Sequence, residues 1–162
     1  MQKVLLKAAS LNSELQSIYR NQARLLLKQS KPVEALEKAQ FGYDQSSDDP
    51  ETCLVLAGCL WANQRDQEAL SLIEKILEVR PNYAEAFINR ALIRLRAKDI
   101  FGATKDAEMA VSIKPHMSQF WGLLASLRHQ NNNLSGAIEA LRNAHRNESN
   151  NVEYMINLGE LL

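Results

Sequence analysis

The stretch AEAFINRALIRLRAKDIFGATKDAEMAVSIKPHM, residues 84–117, decides the fold. Apolar Phe87, Ala91, Leu92 and Leu95 recur at spacings of three and four, and Ala103, Ala107 and Ala110 do the same beyond a polar break at Lys98-Asp99. That period marks amphipathic helix, and the stretch predicts two helices, roughly 84–97 and 100–113, joined by a tight turn. Pro115 disfavours helix in the residue before it and stops the second helix.

The same pattern returns every 34 residues in both directions. One row of small residues runs Ala35, Ala69, Ala103 and Ala137; a second runs Ala23, Ala57, Ala91, Ala125 and Gly159. A bulky row, Tyr19, Cys53, Phe87, Trp121 and Met155, keeps the same spacing. Rows of one period mean one supersecondary unit repeated, the signature of a solenoid. The cause is steric: where two helices cross, one must offer a small residue so that a bulky neighbour can seat. No single hairpin buries its own faces, so neighbours stack.

The register gives full repeats at 16–49, 50–83, 84–117 and 118–151, within one domain over residues 1–162. Residues 1–15 read as the remnant of an earlier second helix, with Leu5 and Ala8 at its packing positions. Residues 152–162 read as the first helix of a further repeat, and the whole as a piece of a longer protein. Gln64-Arg65, Lys98-Asp99 and Asn131-Asn132-Asn133 form the turns inside the repeats, Asn being tolerant of left-handed backbone. Pro32 falls at the start of a second helix, where its missing N–H costs nothing. Pro81 and Pro115 close two repeats, and Pro50 opens one. Ser13-Glu14-Leu15-Gln16 reads as a capping box opening a helix over 14–29.

Composition excludes several classes. Apolar residues make up 46% and charged residues 23%, with formal net charge zero, so neither nucleic acid nor an anionic membrane is favoured as a partner. No segment approaches the ~20 apolar residues of a membrane-spanning helix, and the apolar run between Lys3 and Lys7 is too short for a signal peptide. Cys53 and Cys59 lie about 9 Å apart along a helix, too far for a disulfide. They read as reduced packing residues, which suits a cytoplasmic location. His116, His129 and His145 are scattered, none with a second ligand at metal spacing. There is no glycine-rich phosphate loop and no GxSxG motif. The sequence therefore gives no catalytic residues, no cofactor and no metal.

These residues resemble the tetratricopeptide repeat (TPR) family over essentially the whole chain. The family pattern places aromatics, Leu-Gly or Leu-Ala, alanines and a proline at fixed offsets. The fourth repeat carries Trp121, Leu124-Ala125, Ala137, Leu141 and Ala144; the third carries Phe87, Ala91, Ala103, Ala107, Ala110 and Pro115; the last helix carries Met155 and Leu158-Gly159. Departures are local. Gln22 and Arg90 hold the usual leucine position, Arg94 and Arg128 a usual aromatic position, and Ile76 replaces a small residue. An arginine there lays its stem on the core and sends its head to solvent, where Asp106 or Glu108 stands within reach of Arg94.

The resemblance implies an all-α, right-handed superhelix whose first helices line a concave groove holding a peptide or partner helix. In this register the groove residues are Arg20, Asn21, Arg24 and Lys28; Leu54, Val55, Gly58 and Trp61; Ile88, Asn89, Leu92 and Arg96; Leu123, Ser126, His129 and Gln130; and Asn157. Asn21, Asn89 and Asn157 share one groove position, and an amide that both donates and accepts can pair with any peptide backbone. Arg20, Arg24 and Lys28 form one basic stripe at i, i+4 and i+8. Trp61, flanked in register by Leu27 and Leu95, centres an apolar stripe, and tryptophan is enriched at binding hot spots.

The expectation is a non-catalytic protein-interaction module. Two other readings stand beside it. One is the substrate-recognition arm of a larger enzyme such as a glycosyltransferase. The other is a scaffold that self-assembles as a homo-oligomer through exposed end helices.

Overall fold

A computed structural model describes residues 2–45, 49–148, 151, 154, 156 and 159, with side chains from residue 14 onward. Among the described residues all regular structure is helical, in eight elements. They are α1 (Gln2–Lys28), α2 (Pro32–Gln45), α3 (Pro50–Ala62), α4 (Asp66–Val79), α5 (Ala84–Arg96), α6 (Ile100–Ile113), α7 (Ser118–Gln130) and α8 (Leu134–Asn147). The chain divides into two compact units, Met1–Val79 with α1–α4 and Arg80–Leu162 with α5–α8. In the first, α1 packs on α2, α2 on α3 and α3 on α4; in the second, α5 packs on α6, α6 on α7 and α7 on α8.

Each hairpin turns in the same way. Ser30, Gln64, Lys98 and Asn132 all have positive φ, between 58° and 63°. Behind each of them the chain closes a Schellman pair. In the third repeat Lys98 N–H donates to Leu95 C=O at 3.0 Å and Asp99 N–H to Arg94 C=O at 2.9 Å; in the fourth, Asn132 donates to His129 and Asn133 to Arg128. These bonds satisfy the orphan carbonyls of the first helix. Asp99 and Asn133 then accept from the amides of Gly102 and Gly136, capping α6 and α8.

The small residues are wedged between helices. Ala23, Ala35, Ala69, Ala91, Ala103 and Ala137 have no exposed surface, Ala57 has 1% and Ala125 3%. Gly159, last of its row, is exposed. Gly42 sits where α2 meets both neighbours: a Cβ there would lie 3.2 Å from Tyr19 Cβ and 3.8 Å from Thr52 Cγ2.

One expected boundary is overturned. Ser13 to Gln16 lie in the interior of α1, so they cap nothing, and α1 runs unbroken over 27 residues. The reason is local. No Gly or Pro stands between Gln2 and Lys28, and each of Ser10, Ser13 and Ser17 costs an interior helix only tenths of a kcal/mol. Met155, Leu158 and the terminal residues 160–162 lie outside the described residues.

Candidate protein-interaction surface

The expected groove residues sit on α1, α3, α5 and α7, and the two units present them differently. In the first unit α3 is apolar nearly all round and buries Thr52 to Ala57, Cys59 and Leu60. Such a helix belongs to a core. Leu54 and Val55, expected at the groove, are accordingly buried, at 9% and 7% exposure. The outward-pointing register positions of α3 are spent on packing. Gly58 and Trp61 stay half-buried beside them.

The basic stripe of α1 is also modified by its surroundings. The Arg20 guanidinium donates to Asp49 at 2.5 Å and stands 3.4 Å from Glu51. Asp49 is the N-cap of α3 and also accepts from the Thr52 amide and hydroxyl. Burial pushes the Asp49 carboxyl up, but the two Thr52 bonds and the Arg20 charge outweigh it and hold the carboxyl below its usual value. Arg20 therefore ties α1 to α3. Asn21, Arg24 and Lys28 remain exposed.

In the second unit the expected residues of α5 and α7 keep access to water. Ile88, Asn89, Leu92 and Leu123 are half-buried, as is Leu95; Arg96, Ser126, His129 and Gln130 are exposed. Gln130 Nε2 donates to Ser126 Oγ at 3.3 Å. Both helices rest on α6. Asn157 lies outside the described residues.

The arginines at unusual family positions turn inward. Asp106, 3% exposed, accepts from Arg90 Nε at 3.0 Å, from Arg90 Nη2 at 2.7 Å and from Arg94 Nη1 at 2.7 Å. Arg94 thus takes Asp106, while Glu108 pairs with Arg128 at 3.1 Å. Arg94 and Arg128 each also donate to the carbonyl eight residues on, Gly102 and Gly136. The Asp106 cluster ties α5 to α6 from inside the second unit, while the Arg128–Glu108 pair lies at its surface.

Two features escaped the sequence reading. A pocket of about 500 Å³ in the first unit is lined by Tyr43, Pro50, Cys53, Leu72, Lys75, Ile76 and Val79. Its signal was the i, i+3, i+4, i+7 series Leu72, Lys75, Ile76 and Val79 on α4. The second is an exposed stripe on α1, Leu15, Ile18 and Leu25. Both cysteines are buried, and burial pushes the Cys59 thiol up to about 12, which makes it a poor nucleophile. Among the described residues no cluster of three or more His, Cys, Asp or Glu stands ready for a metal ion, and no helix is long and apolar enough to cross a membrane.

Stacked helical hairpins on a 34-residue period, with alanines at each crossing and a left-handed residue at each turn, define a tetratricopeptide repeat fold. Residues 26–93 match the tetratricopeptide repeat family, and the described helices carry that architecture on either side of them. Solved structures share the fold. A thermophilic TPR protein of Thermus thermophilus superposes with a TM-score of 0.83 at 18% identity, covering 98% of this chain and 87% of that one. PilF of Pseudomonas aeruginosa gives 0.82 at 16% identity, covering 93% and 69%. MamA of Desulfovibrio magneticus RS-1 gives 0.71 at 24% identity, covering 91% and 83%. No curated protein matches the sequence significantly.

Proposed function

We propose that this chain is a non-catalytic protein-interaction module that binds a peptide or partner protein along its first helices. The observation that carries the reading is the half-buried set Ile88, Asn89 and Leu92 on α5, with half-buried Leu123 at the matching face of α7. Apolar side chains left partly open on each helix, followed along it by exposed Arg96 on α5 and by exposed Ser126, His129 and Gln130 on α7, suit the mix of apolar centre and polar rim found at binding surfaces. Asn89 offers a donor and an acceptor to a peptide backbone. In the first unit Trp61, Asn21, Arg24 and Lys28 serve the same role, Leu54 and Val55 acting as their packed support.

The test is affinity capture with a partner quantified by titration. Ile88→Glu with Leu92→Glu should weaken binding at least tenfold, because a charge would be placed in the apolar centre. Phe101→Glu, an exposed change on the second-helix side (64% exposed), should leave it unchanged. Melting temperature should move by no more than a few degrees in either variant. Equal loss of binding in both variants would remove the first-helix surface as the site.

A further inference from the structure

We propose that the chain self-associates as a two-fold dimer through antiparallel pairing of α1, residues 2–11 of each copy covering the Leu15/Ile18/Leu25 face of the other. The face is marked by comparison with the later repeats. Leu15 is 38%, Ile18 49% and Leu25 56% exposed, and Gln22 between them is exposed too. Thirty-four residues on, Thr52, Leu56 and Cys59 of α3 occupy the positions of Ile18, Gln22 and Leu25, and are 1%, 2% and 0% exposed. In α7 the same positions hold Phe120, Leu124 and Leu127, at 7%, 0% and 0%. The second helix of the repeat before packs on each of these first helices, α2 on α3 and α6 on α7, with Gly42 of α2 facing Thr52. The α1 stripe is therefore a seat shaped for a helix of that kind, and among the described residues none lies on it.

The chain itself carries the matching helix. By register, residues 2–11 correspond to the second helices and Asn12 to Leu15 to the link between repeats. Ser13 stands where Pro81 and Pro115 break the chain in later repeats. Ser47 holds the same register position between α2 and α3, so serine alone does not set the break; α1 nevertheless runs straight through position 13, and its N-terminal part projects along its own axis, away from its own seat. The pairing rule comes from α2 and α3, where a Cβ on Gly42 would lie 3.8 Å from Thr52 Cγ2. Moved back by one repeat, that pair becomes Ala8 and Ile18. Positions 8 and 18 lie symmetrically about residue 13. Two straight α1 helices placed antiparallel about that point satisfy both seats at once, Ala8 of each copy over Ile18 of the other. Such exchange of an identical element is a low-cost route to a closed dimer. Centred on residue 13, the two helices overlap over residues 2–24, a contact about 34 Å long, with Leu25 at its end.

The experiment pairs two cysteine substitutions with solution mass. Ala8→Cys/Ile18→Cys should oxidise to a dimer that reductant separates, neither single variant doing so; the native Cys53 and Cys59 are buried. Light scattering on the unmodified protein should show a dimer at high concentration. Ile18→Asp/Leu25→Asp should make it monomeric with helix content retained, because both side chains are exposed in the single copy. Ser13→Pro should also give a monomer, by restoring the break and returning residues 2–11 to their own α1. A cross-link formed within one chain of the unmodified Ser13 background would overturn the proposal in favour of self-covering. A strict monomer without any cross-link would overturn it outright. Each result is independent of partner binding at Ile88 and Leu92.

Discussion

Replacing Asp106 with Ala should destabilise the α5–α8 unit by about 2–3 kcal/mol. The carboxylate accepts three charge-assisted bonds from Arg90 and Arg94 at 2.7–3.0 Å. Removing one member of a fully buried ion pair costs about 3–5 kcal/mol. Here the two arginine side chains keep 19% and 33% exposure, so water takes back part of the loss, and the lower figure follows. At about 2–4 °C per kcal/mol for a chain of this size, melting should fall by roughly 5–10 °C. The fourth repeat supplies the control. Leu124 and Ala140 stand there in place of Arg90 and Asp106, both fully buried, while Arg128 keeps the place of Arg94. Arg90→Leu/Asp106→Ala should therefore recover to within about 1 kcal/mol of the parent, since well-packed apolar groups replace buried ion pairs at little cost. Circular dichroism through a denaturant titration gives the energies, and amide exchange across α5 and α6 locates them. A neutral Asp106→Ala, or a double variant no better than the single, would refute the argument that this cluster is a bonded unit.

Three other outcomes are expected. Lys98→Gly should stabilise by about 0.5–1 kcal/mol by denaturant titration, because the left-handed turn at φ 63° costs a side-chain-bearing residue ~1–2 kcal/mol and Gly loses part of that gain to chain entropy; a loss of stability would show that the turn tolerates lysine freely. Ala103→Leu, at a position with no exposed surface, should overpack the α5–α6 crossing and cost about 1–3 kcal/mol; a neutral melt would break the register. Asp49 has a depressed folded pKa, so its contribution is present above the unfolded value of 3.8 and is lost as pH falls through the lower folded value. An acid titration of α1–α4 by circular dichroism should thus be shallower below pH ~4 in Asp49→Asn, and an unchanged slope would remove Asp49 as its source.

The sequence carried the helices and their phase because period and packing are local and repetitive. Phe87, Ala91, Leu92 and Leu95 announce α5 by spacing alone, and alanines 34 residues apart state where helices must cross. The expected limits, 84–97 and 100–113, differ from α5 and α6 by one residue. The turns were legible from the polar pairs at 64–65 and 98–99, and a left-handed residue only from the asparagines at 131–133. Site residues were less legible, because access to water depends on which neighbour arrives from elsewhere in the chain. Leu54 and Val55 look like groove residues by register, yet α3 is apolar on every side and both are buried. Arg20 looks like one of three free cations until Asp49, 29 residues on, arrives beside it.

By itself, then, the sequence determined a helical hairpin, its period and its small-residue seams, because each follows from side-chain size and spacing within a few turns of chain. Only the tertiary structure decided which polar groups are spent on one another, as at Asp106, and which apolar faces remain open, as on α1. Burial belongs to pairs of elements, and no single helix carries in its own letters the identity of what will cover it.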